Sequence, residues 1–137
     1  VYVLDCSVTA ALFLPDEKSA AVTKTFAGIA EGEDIFVPQL WWYEMSNVLS
    51  LAVKRGWLKH AEVIAIIRLL KDYGFDTDVN YGEKYAERLF ELSQRYELSA
   101  YDATYLELAI RKNAKLATLD DKLGKACEKA GIGSAVE

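Results

Sequence analysis

A chain of 137 residues, 52% hydrophobic and 27% charged, is long enough for one real core and too short for two, which points to a single domain over residues 1–137. This composition excludes a disordered or fibrous protein, no run approaches the roughly 18 apolar residues of a membrane span, and the charge-free N-terminal run is too short for a signal peptide, so the expected compartment is the cytoplasm. The net charge of −5 argues at face value against a nucleic-acid partner, but the objection weakens if several of the acids share one cation.

Val1-Tyr2-Val3-Leu4 reads as a buried parallel strand ending in Asp5. Ser7 reads as the N-cap of a helix from Val8 to Leu14, and Pro15-Asp16-Glu17 as the start of a second helix to about Ala30, with acids in its first turn. Gly32 to Asp34 breaks that helix, Ile35-Phe36-Val37 is a second strand, and Pro38 ends it. A long helix, Leu40 to Lys54, follows with an apolar stripe of Trp41, Met45, Val48, Leu49 and Ala52. Glu44 falls inside that stripe, where a carboxylate has no ordinary solvated role.

Arg55-Gly56-Trp57 closes the long helix, Lys59 to Lys71 forms another around Val63, Ile66, Ile67 and Leu70, and Gly74 stops it. Phe75 to Val79 is a weak strand candidate, and Tyr81 to Tyr96 has helical periodicity through Tyr85, Leu89 and Leu92. The next helical stripe runs Leu98, Tyr105, Leu106, Ala109, and Asp102 lies on it rather than opposite. Ser99-x-x-Asp102 also fits a capping box, which alone would account for the acid. Lys115 to Thr118 is a strand, Asp121 to Ala130 a last helix stopped by Gly131, and Ser134-Ala135-Val136 a short final strand. Strands separated by helices imply a parallel sheet covered on both faces, with right-handed crossovers.

Ligands of open α/β sheets bind beyond the carboxyl ends of the strands, where strand order reverses. Asp5 and Asp120 follow strands, and Glu44 and Asp102 sit in early turns of helices whose N-termini face the same edge. Four carboxylates about 4 to 8 Å apart repel by about 1 kcal/mol or more per pair, so gathering them calls for a cation. Oxygen-only ligation selects a hard ion, Mg²⁺ or Mn²⁺; Cys6 and Cys127 lack metal-ligand spacing, and the single histidine, His60, excludes a histidine-rich zinc site. Each acid has an ordinary reading too: Asp5 as a strand-end turn residue, Asp120 and Asp121 as helix caps. Ser7 and Thr118 read singly as cap and strand residues, Cys6 as a small buried residue, and Trp41, Trp42 and Trp57 as core or dimer-interface aromatics.

Taken together, Val3-Leu4-Asp5-Cys6-Ser7, Pro38 to Glu44 with Asn47 one turn on, Leu98-Ser99-Ala100-Tyr101-Asp102-Ala103 and Leu116-Ala117-Thr118-Leu119-Asp120 closely resemble the motifs of PIN-domain ribonucleases. Within that family the likeness is to VapC toxins of bacterial and archaeal VapBC toxin–antitoxin pairs, and it covers essentially the whole chain in order. The resemblance implies a three-layer α/β/α sandwich around a parallel sheet, and a Mg²⁺- or Mn²⁺-dependent endoribonuclease. It also implies a homodimer, inhibited by a VapB-type antitoxin whose tail enters the active site. Carried over by position, Asp5, Glu44, Asp102 and Asp120 match the acidic quartet that holds the metal, and Ser7, Thr118 and Asn47 match residues beside it. Asp121 adjoins the last acid, and the spacing from Thr118 favours Asp120.

On this reading the reaction is hydrolysis of an RNA phosphodiester by metal-activated water, with no histidine base required. Backbone charge would be met by Lys54, Arg55, Lys59, Arg68, Arg111, Lys112, Lys115 or Lys122. Two other classes fit parts of the pattern. A Mg²⁺-dependent phosphatase would use Asp5 as nucleophile, but the haloacid dehalogenase type resembles Asp-x-Asp and the second residue after Asp5 is Ser7. A non-catalytic module of the same fold would bind a partner peptide without cutting RNA.

Overall fold

The run Tyr2-Val3-Leu4 forms β1 (Tyr2–Leu4) at the middle of a four-stranded parallel sheet, and its two inward residues, Val3 and Leu4, are fully buried. β-branched and leucine side chains without a polar alternation suit a strand covered on both faces. The computed structural model describes residues 1–14, 19–29 and 32–134. After β1 come α1 (Cys6–Phe13), α2 (Ser19–Gly28), β2 (Ile35–Pro38), α3 (Gln39–Lys54), α4 (His60–Asp72), β3 (Asp76–Asp78), α5 (Glu83–Tyr96), α6 (Ala100–Lys112), β4 (Lys115–Ala117) and α7 (Asp121–Ala130).

The strand order is β3-β2-β1-β4, with Val3 opposite both Phe36 and Leu116. The chain therefore steps outward from β1 to β2 and β3, then returns to add β4 on β1's other side. The order reverses between β1 and β4, and that reversal opens a crevice beyond their carboxyl ends. Helices on both faces complete the three-layer α/β/α sandwich, with α6 lying across β1, β2 and β4 and α5 packed against α6.

Helix α3 buries Trp41, Met45, Leu49 and Ala52, spaced three and four apart, so one stripe faces the core as the periodicity predicts. Helix α6 is different: every residue from Ala103 to Ala109 is buried, so it is enclosed all round rather than striped. Glu107, 4% exposed, is consequently an interior charge, and Arg111 neutralises it at 2.8 Å while also gripping Asp78 of β3 through two bonds of 2.9 and 2.6 Å. The Arg111 guanidinium thus ties the edge strand to the central helix and is not available to a phosphate backbone.

Several boundaries differ from the sequence expectation. Helix α1 begins at Cys6, not Val8, and Asp5 rather than Ser7 holds its N-cap position. The extended backbone of Asp5 continues straight from β1, leaving Ser7 inside the first turn. Gly82, at φ +100°, delays α5 to Glu83. The weak strand candidate shortens to Asp76–Asp78, and of the proposed final strand Ser134 makes a single parallel bridge to Leu116. Ala135 and Val136 lie outside the described residues, as do Pro15, Asp16, Glu17 and Ala30 at the ends of the second helix. Both cysteines are buried and free, in keeping with the reading of Cys6 as a small buried residue. No helix among the described residues is long and apolar enough to cross a membrane.

Candidate active site

Four separate segments deliver their acids to one cavity of about 310 Å³, lined by Asp5, Glu44, Asp102 and Asp120 together with Cys6, Ser7, Ala10, Asn47 and Val48. No cationic side chain is among those lining residues. Asp5 arrives at the carboxyl end of β1, Glu44 in the second turn of α3, Asp102 in the first turn of α6, and Asp120 at the N-cap of α7. The strand-order reversal is what brings the first and last of these together.

Asp5, 7% exposed, is the best fixed. Its Oδ2 accepts hydrogen bonds from the Ser7 hydroxyl at 2.9 Å and the Thr118 hydroxyl at 2.6 Å. Those hydroxyls are themselves oriented, because the Leu119 amide donates to Ser7 Oγ at 3.0 Å and the Asp120 amide donates to Thr118 Oγ1 at 3.0 Å. The segment after β4 is thereby laced to the segment after β1. Each hydroxyl serves as acceptor on one side and donor to the carboxylate on the other, a use that caps and strand residues do not have.

Glu44 accepts a short hydrogen bond at Oε1 from the hydroxyl of Tyr105, whose ring is wholly buried in the core. Sequence reasoning placed Tyr105 on the apolar stripe and missed its polar end; its position one turn after Asp102 was the available signal. At Asp102 the two readings coexist. The Ser99 hydroxyl caps α6 by accepting from the Asp102 amide at 3.1 Å, while the Asp102 side chain lines the cavity. Asp120 is likewise both, accepting from the Leu123 amide at Oδ1 (3.0 Å) as N-cap of α7 and lining the cavity. Asp121 is exposed in the first turn of α7 and does not line it.

The electrostatics follow from this gathering. Burial pushes the Asp5 carboxyl above its ordinary value, hydrogen bonds from Thr118 and Ser7 pull it back, and the charge of Asp120 raises it again. Glu44 is raised by burial and by Asp5 and Asp102, against the lowering bond from Tyr105. Asp102 is raised by burial, then by Asp120 and Asp5, against the lowering influence of Ser99 and, last, of Lys122. Beneath them the Cys6 thiol is pushed up to about 12 by burial and by the charges of Glu44 and Asp5, so it is an inert packing group 3.4 Å from Met45 Sδ.

Like charges held together in a partly buried cavity, with Asp5 buried, Glu44 and Asp102 half-buried and Asp120 exposed, call for a compensating cation. The donor set is oxygen only, which fits a hard divalent ion such as Mg²⁺ or Mn²⁺. Among the described residues no three acidic, histidine or cysteine side chains converge closely enough to hold one ion by themselves. The fit is therefore to an ion that keeps several of its own waters, as Mg²⁺ ordinarily does.

A second, larger hollow of about 470 Å³ continues from the cavity, sharing Ser7, Ala10, Val48 and Asp120 with it. Ala11, Leu14, Leu51, Ala52 and Leu119 make it apolar, and at its far end the Arg55 guanidinium lies 5.3 Å over the Trp57 ring. Of the other aromatic candidates, Trp41 is core and Trp42 donates to Thr77 Oγ1 at 2.9 Å.

The sequence profile described as "PIN domain" matches residues 2–129. Ribonuclease VapC3 of Pyrobaculum aerophilum is 28% identical over 123 residues, spanning 90% of this chain and 92% of that protein. Among solved structures, VapC20 of Mycobacterium tuberculosis, described as a sarcin-ricin loop cleaving toxin, superposes with a TM-score of 0.70 at 17% identity, covering 92% of this chain and 95% of that one. A toxin–antitoxin complex from Klebsiella pneumoniae gives 0.66 at 19% identity, covering 100% and 99%.

Proposed function

Because the chain belongs to the PIN-domain family, we propose that it is a divalent-metal-dependent endoribonuclease and the toxin of a VapBC-type pair. The observation that carries the reading is the convergence of Asp5, Glu44, Asp102 and Asp120 on one cavity with no cationic side chain in its lining. Nothing in a merely structural role requires four acids from four segments to face one another.

The four carboxylates would hold Mg²⁺ or Mn²⁺, partly through its waters. A bound divalent ion supplies an acidified water near neutral pH and offsets charge developing on the phosphate. The chain's own residues do the positioning. Ser7 and Thr118 fix Asp5 through its Oδ2, Tyr105 fixes Glu44, and the α7 N-terminus fixes Asp120. Asn47, which lines the cavity beside Glu44, is placed to hydrogen-bond a substrate or a metal-bound water. Lys122, whose charge is felt at Asp102, and Arg55, which lines the adjoining hollow, are the cations proposed to meet an RNA phosphate.

The partners follow the same reading. RNA is the substrate. A VapB-type antitoxin would seat its tail in the apolar hollow that runs on from the acids, which suits a peptide better than a sugar-phosphate chain. Exposed Tyr43, Phe90 and Tyr101, at 67%, 63% and 69%, supply apolar surface for a homodimer, which sedimentation tests directly. The place of action is the cytoplasm, with the RNA.

Incubating antitoxin-free protein with total cellular RNA tests the proposal. The expected result is a small set of discrete ends that form with Mg²⁺ or Mn²⁺ and vanish with EDTA. RNA left intact in the presence of bound Mn²⁺ would overturn it in favour of a binding module.

A further inference from the structure

We infer that Tyr105 is a positioning residue, whose buried hydroxyl sets the orientation of the Glu44 carboxylate toward a divalent cation in the acidic cavity. The inference rests on the reading of that cavity as a metal site and goes a step past it, to a residue outside the acidic quartet.

Tyr105 lies on α6, three residues after Asp102, and its side chain is 0% exposed. Its ring is therefore held by core packing rather than by the site, and a buried phenol is a rigid donor with few degrees of freedom. The hydroxyl donates to Glu44 Oε1, across 61 residues of sequence and between two helices. Glu44 sits on α3 in an otherwise apolar stripe, in which Trp41, Met45, Leu49 and Ala52 are core residues and Val48 lines the cavity beside it. Without a fixed donor the Glu44 side chain, with three rotatable bonds, would sample several rotamers at the cavity edge. With it, one oxygen is occupied and the other is presented in a defined direction.

The arrangement parallels that of Asp5, whose Oδ2 is held by Ser7 and Thr118. Both carboxylates thus have outer partners that orient them, and partners of this kind matter to metal affinity by about 10- to 100-fold when removed. The phenol is the more telling of the two, because a phenylalanine would fill the same core space without burying a hydroxyl. A tyrosine there makes sense when its hydroxyl has work to do at Glu44.

Tyr105→Phe removes the hydroxyl and keeps the ring, and Tyr105→Met is a second variant should the phenyl pack poorly. Mn²⁺ binding is read by electron paramagnetic resonance of the free ion, on wild type, on both variants, on Glu44→Gln and on the double variant. The expected result is Mn²⁺ affinity weakened about 10- to 100-fold in folded Tyr105→Phe. The same substitution should cause no further loss in the Glu44→Gln background, since its effect passes through that carboxylate. RNA cleavage by Tyr105→Phe should recover towards wild type as Mn²⁺ is raised.

Affinity within threefold of wild type, an equal loss in both backgrounds, or failure of both variants to fold would each overturn the inference and leave Tyr105 a structural residue. Asp5→Asn measured alongside separates the two claims. If wild type binds Mn²⁺ and Asp5→Asn does not, the metal site stands whatever Tyr105→Phe does; if wild type binds none, both readings fall.

Discussion

Asp102→Asn should make the metal-free protein more stable while ending its activity. Asn keeps the size and shape of Asp, so the α6 N-terminus, with Ser99 Oγ accepting from the amide of residue 102, is undisturbed. What disappears is a charge raised in pKa by burial and by Asp120 and Asp5. Two unit charges about 6 Å apart interact by about 3 kcal/mol at an effective dielectric of about 20. Asp102 is half-exposed, so solvent screening reduces that, and an acid in the first helical turn regains about 0.3 to 1 kcal/mol from the helix dipole. The raised pKa says that repulsion and burial win, leaving a net gain of about 1 kcal/mol, or about 3 to 5 °C in melting temperature for a chain of this size. The assay is thermal unfolding in EDTA at pH 7. At a pH below the ordinary carboxylate value of 3.8 the residue is protonated in folded and unfolded protein alike, and the difference should vanish. Excess Mg²⁺ should raise the wild type and leave the variant nearly unmoved, because stabilisation by a ligand requires binding to the folded state. An Asp102→Asn protein that melts below wild type in EDTA at pH 7 would refute the reasoning.

Two further outcomes follow from the same structure. Asp5, Glu44 and Asp102 all have folded pKa values raised above 3.8 or 4.5, so the folded state binds more protons than the unfolded one in that window. Their joint contribution to metal-free stability is therefore present at acid pH and lost as pH rises through the raised values, while Mn²⁺ affinity climbs over the same range. Melting temperatures of wild type against the triple Asp5→Asn, Glu44→Gln, Asp102→Asn variant across pH isolate the stability term; a gap that widens toward low pH would contradict the sign. Arg111→Met should cost about 1 to 3 kcal/mol in denaturant unfolding, since it strands the buried Glu107 charge and releases Asp78 of the edge strand. RNA cleavage per folded molecule should be unchanged, and a variant as stable as wild type would show the triad to be dispensable.

Much of the fold is legible in the residues because period and punctuation agree. The stripe of α3 at three- and four-residue spacing, the unbroken apolar run of β1 and Gly131 at the end of α7 each state their structure locally. Where they fail, the missing information is tertiary. The end of α5 at Tyr96 is read correctly even though Glu97, in the left-handed region at φ 55°, carries no glycine stop; its start is not, because Gly82 at φ +100° holds the helix back to Glu83. Enclosure of α6 on all sides depends on which layers meet it, so its sequence shows a stripe where the fold makes a cylinder. The position of Ser7 shows the same limit. A serine one turn from a strand end reads as a cap, and only the approach of Thr118 and Leu119 across 111 or more residues turns it into a clamp on Asp5. Glu44 and Asp102 could be singled out because a carboxylate on an apolar stripe is costly, and Ser7 and Thr118 were placed beside the acids by the family resemblance; the donor to Glu44 could not be found, because a hydroxyl on a core tyrosine looks like packing until Glu44 is beside it.

The most direct test of the nuclease is a paired cleavage assay of wild type and Asp5→Asn on one mapped RNA target, each with Mn²⁺ and with EDTA. The substitution preserves the side chain that Ser7 and Thr118 enclose, so the fold is kept while the charge is lost. Metal-dependent cuts by the wild type and none by a folded Asp5→Asn is the predicted result. Equal cutting by both proteins, or cutting by the wild type that survives EDTA, would contradict the account.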